Sequence, residues 1–260
     1  SAPNVGVWWS LWRAVPSAVP AATRSVDNQK ETRFFQKTWF LREEVTVVKR
    51  FVIVAGNIGS GKTSLTRLLS QQLEWDAFYE SVDDNPYLAD FYGDMRAWSF
   101  HLQVFFLGHR ARTHLAICAS KNSVIQDRSI YEDAHIFARA LHDMKMLNLR
   151  DYRAYRELYD LVIETLPPPD LLVYLQASVP TLMDRIGKRG RGMESGITAD
   201  YLERLGTLYA EWIEGFNLCP VLTVPADDLD FVQHDTHLQI ISERILDKLQ
   251  GKEEVVFPKM

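Results

Sequence analysis

Phe51-Val52-Ile53-Val54-Ala55-Gly56-Asn57-Ile58-Gly59-Ser60-Gly61-Lys62-Thr63 is the stretch that decides the fold. The run from Val47 to Ala55 is β-rich and ends at glycine, which reads as a buried strand. Leu65, Leu68, Leu69 and Leu73 then follow at helical spacing. Between strand and helix, Gly56–Thr63 matches G-x-x-x-x-G-K-[ST] in full, in the context that motif requires. Its glycines let backbone N–H groups wrap a polyphosphate, and the helix N-terminus adds partial positive charge. Lys62 is placed to reach β- and γ-phosphates, and Thr63 to ligate Mg2+. The bland alternative is a chance glycine-rich turn, which would not need the strand, helix, Lys and Thr together.

Outward from that loop, strands and helices alternate. Trp98 to Ile117 reads as a long, buried helix and Ser123–Gln126 as a short strand. Tyr155, Leu158, Tyr159, Val162 and Leu166 form a helical stripe stopped by Pro167-Pro168-Pro169. Leu171–Leu175 and Val221–Val224 read as strands. Tyr201, Leu205, Leu208 and Trp212 line one helix face, and Ile241, Ile245 and Leu249 lie on a last helix. The expected fold class is therefore α/β, a parallel sheet flanked by helices. There is no internal repeat and no low-complexity tract.

Composition sets the bounds. With 260 residues, 47% apolar and 24% charged, the chain can bury one core or two small ones and is not disordered overall. Cys118 and Cys219 cannot build a disulfide framework, which fits a reducing compartment. The uncharged run Ser1–Trp12 is too short to span a membrane. A sequence pI of 5.8 argues against a broadly basic nucleic-acid binder. Charge is uneven, however. Residues 1–50 carry eight Lys/Arg against four Asp/Glu, and the rest carry 21 against 30. Trp8, Trp9, Trp12 and Trp39 lie in that head. Residues 1–48 are expected to be an N-terminal extension, disordered or a targeting, upstream or docking segment. The catalytic domain is expected over 49–250, with 251–260 as a tail.

Two further features bear on chemistry. Arg185, Lys188, Arg189 and Arg191 place four positive charges in seven residues, interleaved with Gly187, Gly190 and Gly192. In an acidic chain beside a phosphate loop, that cluster reads as an Arg-rich lid that closes on phosphate oxygens, with a solvated surface run as the alternative. Glu80 and Asp127-Arg128-Ser129 each follow a strand candidate, where open α/β sheets bind ligands. Either could equally be an ordinary ion pair.

These residues together carry a resemblance. From Phe51 to about Leu249 the chain resembles the deoxynucleoside kinase family, and bacterial deoxyadenosine and deoxyguanosine kinases most in look. The likeness rests on Gly56–Thr63, Glu80, Tyr92, Trp98-x-Phe100-x-x-Gln103, Arg110, Asp127-Arg128-Ser129-Ile130-Tyr131, Asp133, Phe137, Arg185-x-x-x-Arg189-x-Arg191 and Glu194 before Gly196-Ile197.

The resemblance implies a P-loop kinase that uses ATP and Mg2+ to phosphorylate a nucleoside 5′-hydroxyl in nucleotide salvage. It implies Glu80 as general base, Arg128 beside the reacting hydroxyl, and Lys62 on the phosphates. It puts Gly56, Asn57, Ile58, Gly59, Ser60, Gly61, Lys62, Thr63, Arg185, Arg189, Arg191, Asp230 and Phe231 around ATP. Thr63 and Asp127 would serve Mg2+. Tyr92 and Glu194 would hold the sugar 3′-OH, and Val82 would line the acceptor site. Gln103 would bond the base edge, Phe137 would stack on its face, and Arg110 with Asp133 would form a polar pair at its far side. A homodimer packed through long helices is implied, with small-molecule partners, no nucleic acid and no membrane. The compartment implied is the cytoplasm, or a mitochondrion or plastid if 1–48 is a transit segment.

The Arg110/Asp133 pair resembles that of members accepting deoxycytidine and deoxypurines, and Asp83-Asp84-Asn85-Pro86-Tyr87 with Phe105-Phe106-Leu107 resembles the bacterial members. The resemblance therefore implies a deoxypurine preference with deoxycytidine as a second substrate, although Phe106 is bulky at a position that bears on base size. Two rivals stand. A thymidylate-kinase-like enzyme would need cations for an acceptor phosphate where Glu80 puts a carboxylate. A non-catalytic structural relative would not need an intact loop and Glu80. No N-K-x-D signature supports a GTPase. His234-x-x-His237 lacks the further ligands of a metal centre.

Overall fold

All six residues of β1, Phe51–Gly56, are buried. This strand lies at the middle of a five-stranded, all-parallel sheet of order β2, β3, β1, β4, β5. The other strands are β2 (Asp76–Phe78), β3 (Val124–Asp127), β4 (Leu171–Gln176) and β5 (Val221–Pro225). A strand covered on both faces is apolar at every position, which is why β1 reads as a continuous run. The computed structural model describes residues 48–79, 85–190 and 196–251. These all fall in the second of the two units into which the chain divides, Thr46–Met260.

The period-two alternation of β1 sorts the helices. Val52 and Val54 pack with Leu65 and Leu69 of α1 (Lys62–Leu73) and with Ile241 and Ile245 of α8 (Asp235–Leu249). Phe51, Ile53 and Ala55 face the opposite cluster. That cluster draws on α3 (Met95–Ala119), α5 (Leu149–Ile163) and α7 (Ala199–Gly215). Fully buried side chains such as Ile53 and Leu65 each stabilise the fold by about 1.5–3 kcal/mol. The register sets Val54 beside Asp127 on one side and Val173 on the other, so the exit of β1 adjoins the exit of β3. The chain leaves β1 for α1 on one face and leaves β3 for the opposite face. A crevice therefore opens at their C-terminal ends.

Several expectations change in detail. The first strand starts at Phe51, residues 48–50 are not part of it, and Val47 lies outside the described residues. Just before it, the Lys49 ammonium donates to the Ile117 and Cys118 carbonyls, both at 2.9 Å, and so caps the end of α3. Helix α3 is longer than expected, beginning after Asp94, whose carboxylate accepts the Ala97 N–H. Nor is it buried all round. Ser99, Leu102, Gln103, Leu107, Arg110, His114 and Ile117 form its inner stripe, while Leu115 is exposed. Of its polar members, Arg110 lines the cleft described below, whereas His114 bonds the Pro167 carbonyl at 2.7 Å, away from it.

Three helices lie outside the elements read from the sequence: α2 (Leu88–Gly93), α4 (Arg139–Asp143) and α6 (Val179–Arg189), the last despite helical spacing of Val179, Leu182, Met183 and Ile186. A π-helical turn, Asp133–Ala138, runs directly into α4. Both cysteines are free. Among the described residues, no helix is long and apolar enough to cross a membrane.

Candidate active site

Three positions of the loop between β1 and α1 are glycine because a side chain there would be strained or crowded. Gly56, Gly59 and Gly61 have φ of 148°, 83° and 102°. A Cβ on Gly56 would lie 2.8 Å from the Leu175 carbonyl, and one on Gly59 would lie 2.9 Å from Ile186 of α6. At Gly61 it would lie 3.0 Å from the Phe231 ring. The loop is thus pressed between β4, α6 and Phe231, and its curvature is fixed before any ligand arrives. No side chain caps α1 at Gly61, which leaves the first-turn N–H groups available to an anion.

Side chains brace this loop. The Asn57 amide donates to the Leu202 carbonyl of α7 at 2.8 Å, and its oxygen accepts the Ile58 N–H. The Lys62 ammonium arches over the loop to the Asn57 carbonyl at 2.9 Å. Arg185, expected among the phosphate clamps, donates instead to the Ser60 and Ala226 carbonyls, at 3.1 and 2.7 Å. It buttresses the loop from α6. Arg189 is exposed in the last turn of α6, which Gly190 ends in a left-handed conformation. Gly187 lies inside that helix. Arg191 and the rest of the expected lid lie outside the described residues. The Asp230 carboxylate accepts the Val232 and Gln233 N–H groups, closing the turn that seats Phe231 against Gly61.

The Thr63 hydroxyl donates to one Asp127 oxygen at 2.5 Å. The other Asp127 oxygen is buried and has no hydrogen-bond partner. A hydroxyl and a carboxylate, both hard oxygen donors at the mouth of a phosphate loop, fit Mg2+. Among the described residues, no group of three or more His, Cys, Asp or Glu could hold a metal on its own.

Among the described residues of the site other than glycine, Arg128 alone has a left-handed backbone. Its φ is 63°, a left-handed conformation that costs a side-chain-bearing residue about 1–2 kcal/mol. Its N–H bonds the Val54 carbonyl at 3.0 Å, and its guanidinium lies 4.4 Å from the centre of the Phe137 ring. Phe137 and Asp133 both belong to the π-turn, a feature that recurs at functional sites.

Arg110 and Asp133 form an ion pair whose side chains are only 7% and 1% exposed. The Arg110 guanidinium also lies 4.7 Å over the Phe106 ring, which accounts for a bulky residue at that position. Gln103 is buried, with its oxygen unpartnered. Phe106, Arg110, Gln126, Asp127 and Arg128 line a common cleft with Tyr79. Tyr92, on α2, is 44% exposed. Glu80, Val82 and Glu194 lie outside the described residues.

Two side chains were missed in the sequence. Gln126 lines the cleft with an unpartnered, buried oxygen. Glu132, wholly buried, accepts the Ser129 N–H at 2.8 Å, the Ser129 hydroxyl at 3.2 Å and the Tyr209 hydroxyl at 2.7 Å. Burial, and then the charge of Glu132, raise the Tyr209 hydroxyl well above its ordinary pKa, so it stays a donor. The sequence carries little signal for Glu132, which follows the apolar pair Ile130-Tyr131 but stands next to a second acid, Asp133.

A phosphate cradle beside a carboxylate–arginine strand end, on a parallel sheet covered on both faces, defines a P-loop phosphotransferase. Comparison with known proteins narrows the class. The family model for deoxynucleoside kinase matches residues 52–250. The chain is 39% identical to Bacillus subtilis deoxyadenosine/deoxycytidine kinase over 196 residues, covering 75% of this chain and 90% of that one. It is 37% identical to Lactobacillus acidophilus deoxyadenosine kinase over 208 residues, covering 76% and 96%. The solved structure of M. mycoides deoxyadenosine kinase, with products dCMP and a flexible dCDP bound, is similar at TM-score 0.68 and 29% identity. That match covers 76% of this chain and 99% of the other. The chain belongs to the deoxynucleoside kinase family and is an enzyme that phosphorylates deoxynucleosides.

Proposed function

We propose that the enzyme transfers the γ-phosphoryl group of ATP to the 5′-hydroxyl of a 2′-deoxynucleoside, preferring deoxypurines and accepting deoxycytidine, in nucleotide salvage. The observation that carries the base reading is the buried Arg110–Asp133 pair, which shares a cleft with Arg128. A buried, neutralised polar pair suits the hydrogen-bonding edge of an uncharged base. The names of the relatives support the same set of substrates, since they include deoxyadenosine, deoxyguanosine and deoxyadenosine/deoxycytidine kinases.

In this reading the loop Gly56–Thr63 and Lys62 hold the triphosphate, and Arg189 and Arg191 close over it. Thr63, and Asp127 through water, would hold Mg2+, which when bound spreads positive charge across the β- and γ-phosphate oxygens. Glu80 takes the proton of the 5′-hydroxyl, and Arg128 meets the charge that develops on the transferring group. Gln103 bonds the base edge and Phe137 stacks on its face. Tyr92 and Glu194 hold the 3′-OH, and Val82 lines the pocket. The catalytic unit is assigned to 49–250, with 1–48 as an extension and 251–260 as a tail. Exposed Leu115 of α3 and Leu158 and Leu161 of α5 support a homodimer formed through these helices. The reaction is assigned to the cytoplasm.

The test is a substrate ranking with ATP and Mg2+, using the four common deoxynucleosides and dTMP. Deoxyadenosine or deoxyguanosine should give the highest kcat/KM, deoxycytidine should follow, and dTMP should not react. Thymidine as the best acceptor would overturn the base assignment, and dTMP as the best would replace the nucleoside by a monophosphate.

A further inference from the structure

We infer that Glu132 is a positioning residue of the phosphoryl transfer. It holds Arg128 in its left-handed conformation and ties that residue to the start of the phosphate loop. The inference rests on the reading of Arg128 as the group that meets the transferring phosphoryl.

The geometry is specific. Arg128 follows β3 with φ of 63°, and such a conformation persists only where its surroundings hold it. Two backbone bonds do so. On one side the Arg128 N–H is fixed to Val54 of β1, at 3.0 Å. On the other, the next N–H, that of Ser129, is fixed to Glu132 at 2.8 Å, with the Ser129 hydroxyl on the same carboxylate oxygen at 3.2 Å. The second carboxylate oxygen is held by the Tyr209 hydroxyl of α7 at 2.7 Å and reaches the Gly56 N–H at 3.5 Å. One buried carboxylate thus joins the arginine turn, the first loop glycine and a helix on the sheet's face.

A carboxylate with no exposure is costly in a fold unless its oxygens are bonded, and here both are. Removing it frees Ser129 and lets Arg128 relax to negative φ. The guanidinium would then leave the place where charge develops. Donor binding by the loop should change little, because Gly59, Gly61 and Lys62 are braced elsewhere, by α6, Phe231 and Asn57.

A double-mutant cycle on the full chain tests this. Steady-state kcat and both KM values would be measured for wild type, Glu132→Gln, Arg128→Ala and the double variant. Thermal midpoint and binding of a non-hydrolysable ATP analogue would be measured alongside. Glu132→Gln should lower kcat by about tenfold with little change in the ATP KM. In the Arg128→Ala background the same change should cost at most about twofold, because its effect passes through Arg128. An equal loss in both backgrounds would make Glu132 merely structural, and wild-type kcat in Glu132→Gln would remove it altogether. If Arg128→Ala keeps wild-type turnover, the reading of Arg128 fails instead. If Glu132→Gln does not fold, Tyr209→Phe carries the same cycle from the other carboxylate oxygen, with the same two overturning results.

Discussion

In the proposed reading, the donor and acceptor halves of the site are built from different materials. The donor half is backbone: eight consecutive residues whose glycines are crowded by Leu175, Ile186 and Phe231. The acceptor half is side chains gathered from α3, the end of β3 and a π-turn. The triphosphate is common to every turnover, so a rigid, local cradle suffices for it. A base must be read by donors and acceptors, which only side chains at chosen positions supply. The two halves should therefore fail differently when changed.

The largest failure should come where the halves meet. Glu80→Gln should lower kcat by about 10²–10⁴ and leave the thermal midpoint unchanged. Wild-type turnover in that variant would remove Glu80 as base. Next comes the acceptor half. Arg110→Met leaves Asp133 buried without its charge partner and should cost about 3–5 kcal/mol in denaturant unfolding. The paired change Arg110→Met with Asp133→Leu should recover much of that stability. It should still reorder the deoxynucleosides and leave the ATP KM alone. An unchanged ranking would show that the pair is scaffold only.

In the donor half, Gly59→Ala should do the reverse. Its φ of 83° and the contact with Ile186 predict a loss of about 1–3 kcal/mol. The ATP KM should rise while the nucleoside ranking stays fixed. A changed ranking would break the division between the halves.

The π-turn adds a smaller, pH-dependent effect. Burial, reinforced by the charge of Arg156, lowers the pKa of His135 to about 4. The folded state thus binds fewer protons than the unfolded one between that value and the ordinary 6.5. This share of stability is complete above the ordinary value and is lost as pH falls toward the lower one. Unfolding midpoints of wild type and His135→Asn should diverge at neutral pH and converge on acidification. Parallel curves would contradict this assignment. The smallest effect is expected from deleting residues 1–48, which should leave kcat and KM within about twofold. Loss of active protein would show that the head belongs to the domain.

The same contrast explains what could be read without coordinates. Gly56–Thr63 was legible because its chemistry is contiguous and its flanks announce a strand and a helix. The middle of the sheet was legible because β1 and β4 are near-continuous apolar runs, whereas β3 and β5 are short and carry polar residues. The acceptor half was legible only through resemblance. Arg110 and Asp133 are ordinary charges until the π-turn brings them together, and a π-turn has no familiar periodicity in sequence. Glu132 reads as a surface acid, yet it is wholly buried. Phe106 reads as a steric intrusion, yet it supports Arg110. The basic cluster was legible as a cluster but not in its parts. Nothing in Arg185-x-x-x-Arg189 says that the first cation braces backbone carbonyls while the second faces solvent.

The most direct test of the account is the formation of deoxyadenosine 5′-monophosphate from deoxyadenosine with ATP and Mg2+, run beside Lys62→Ala. Wild type should turn over steadily, and the variant should keep its fold and lose that turnover. A folded wild-type protein that binds ATP yet phosphorylates no deoxynucleoside would contradict it.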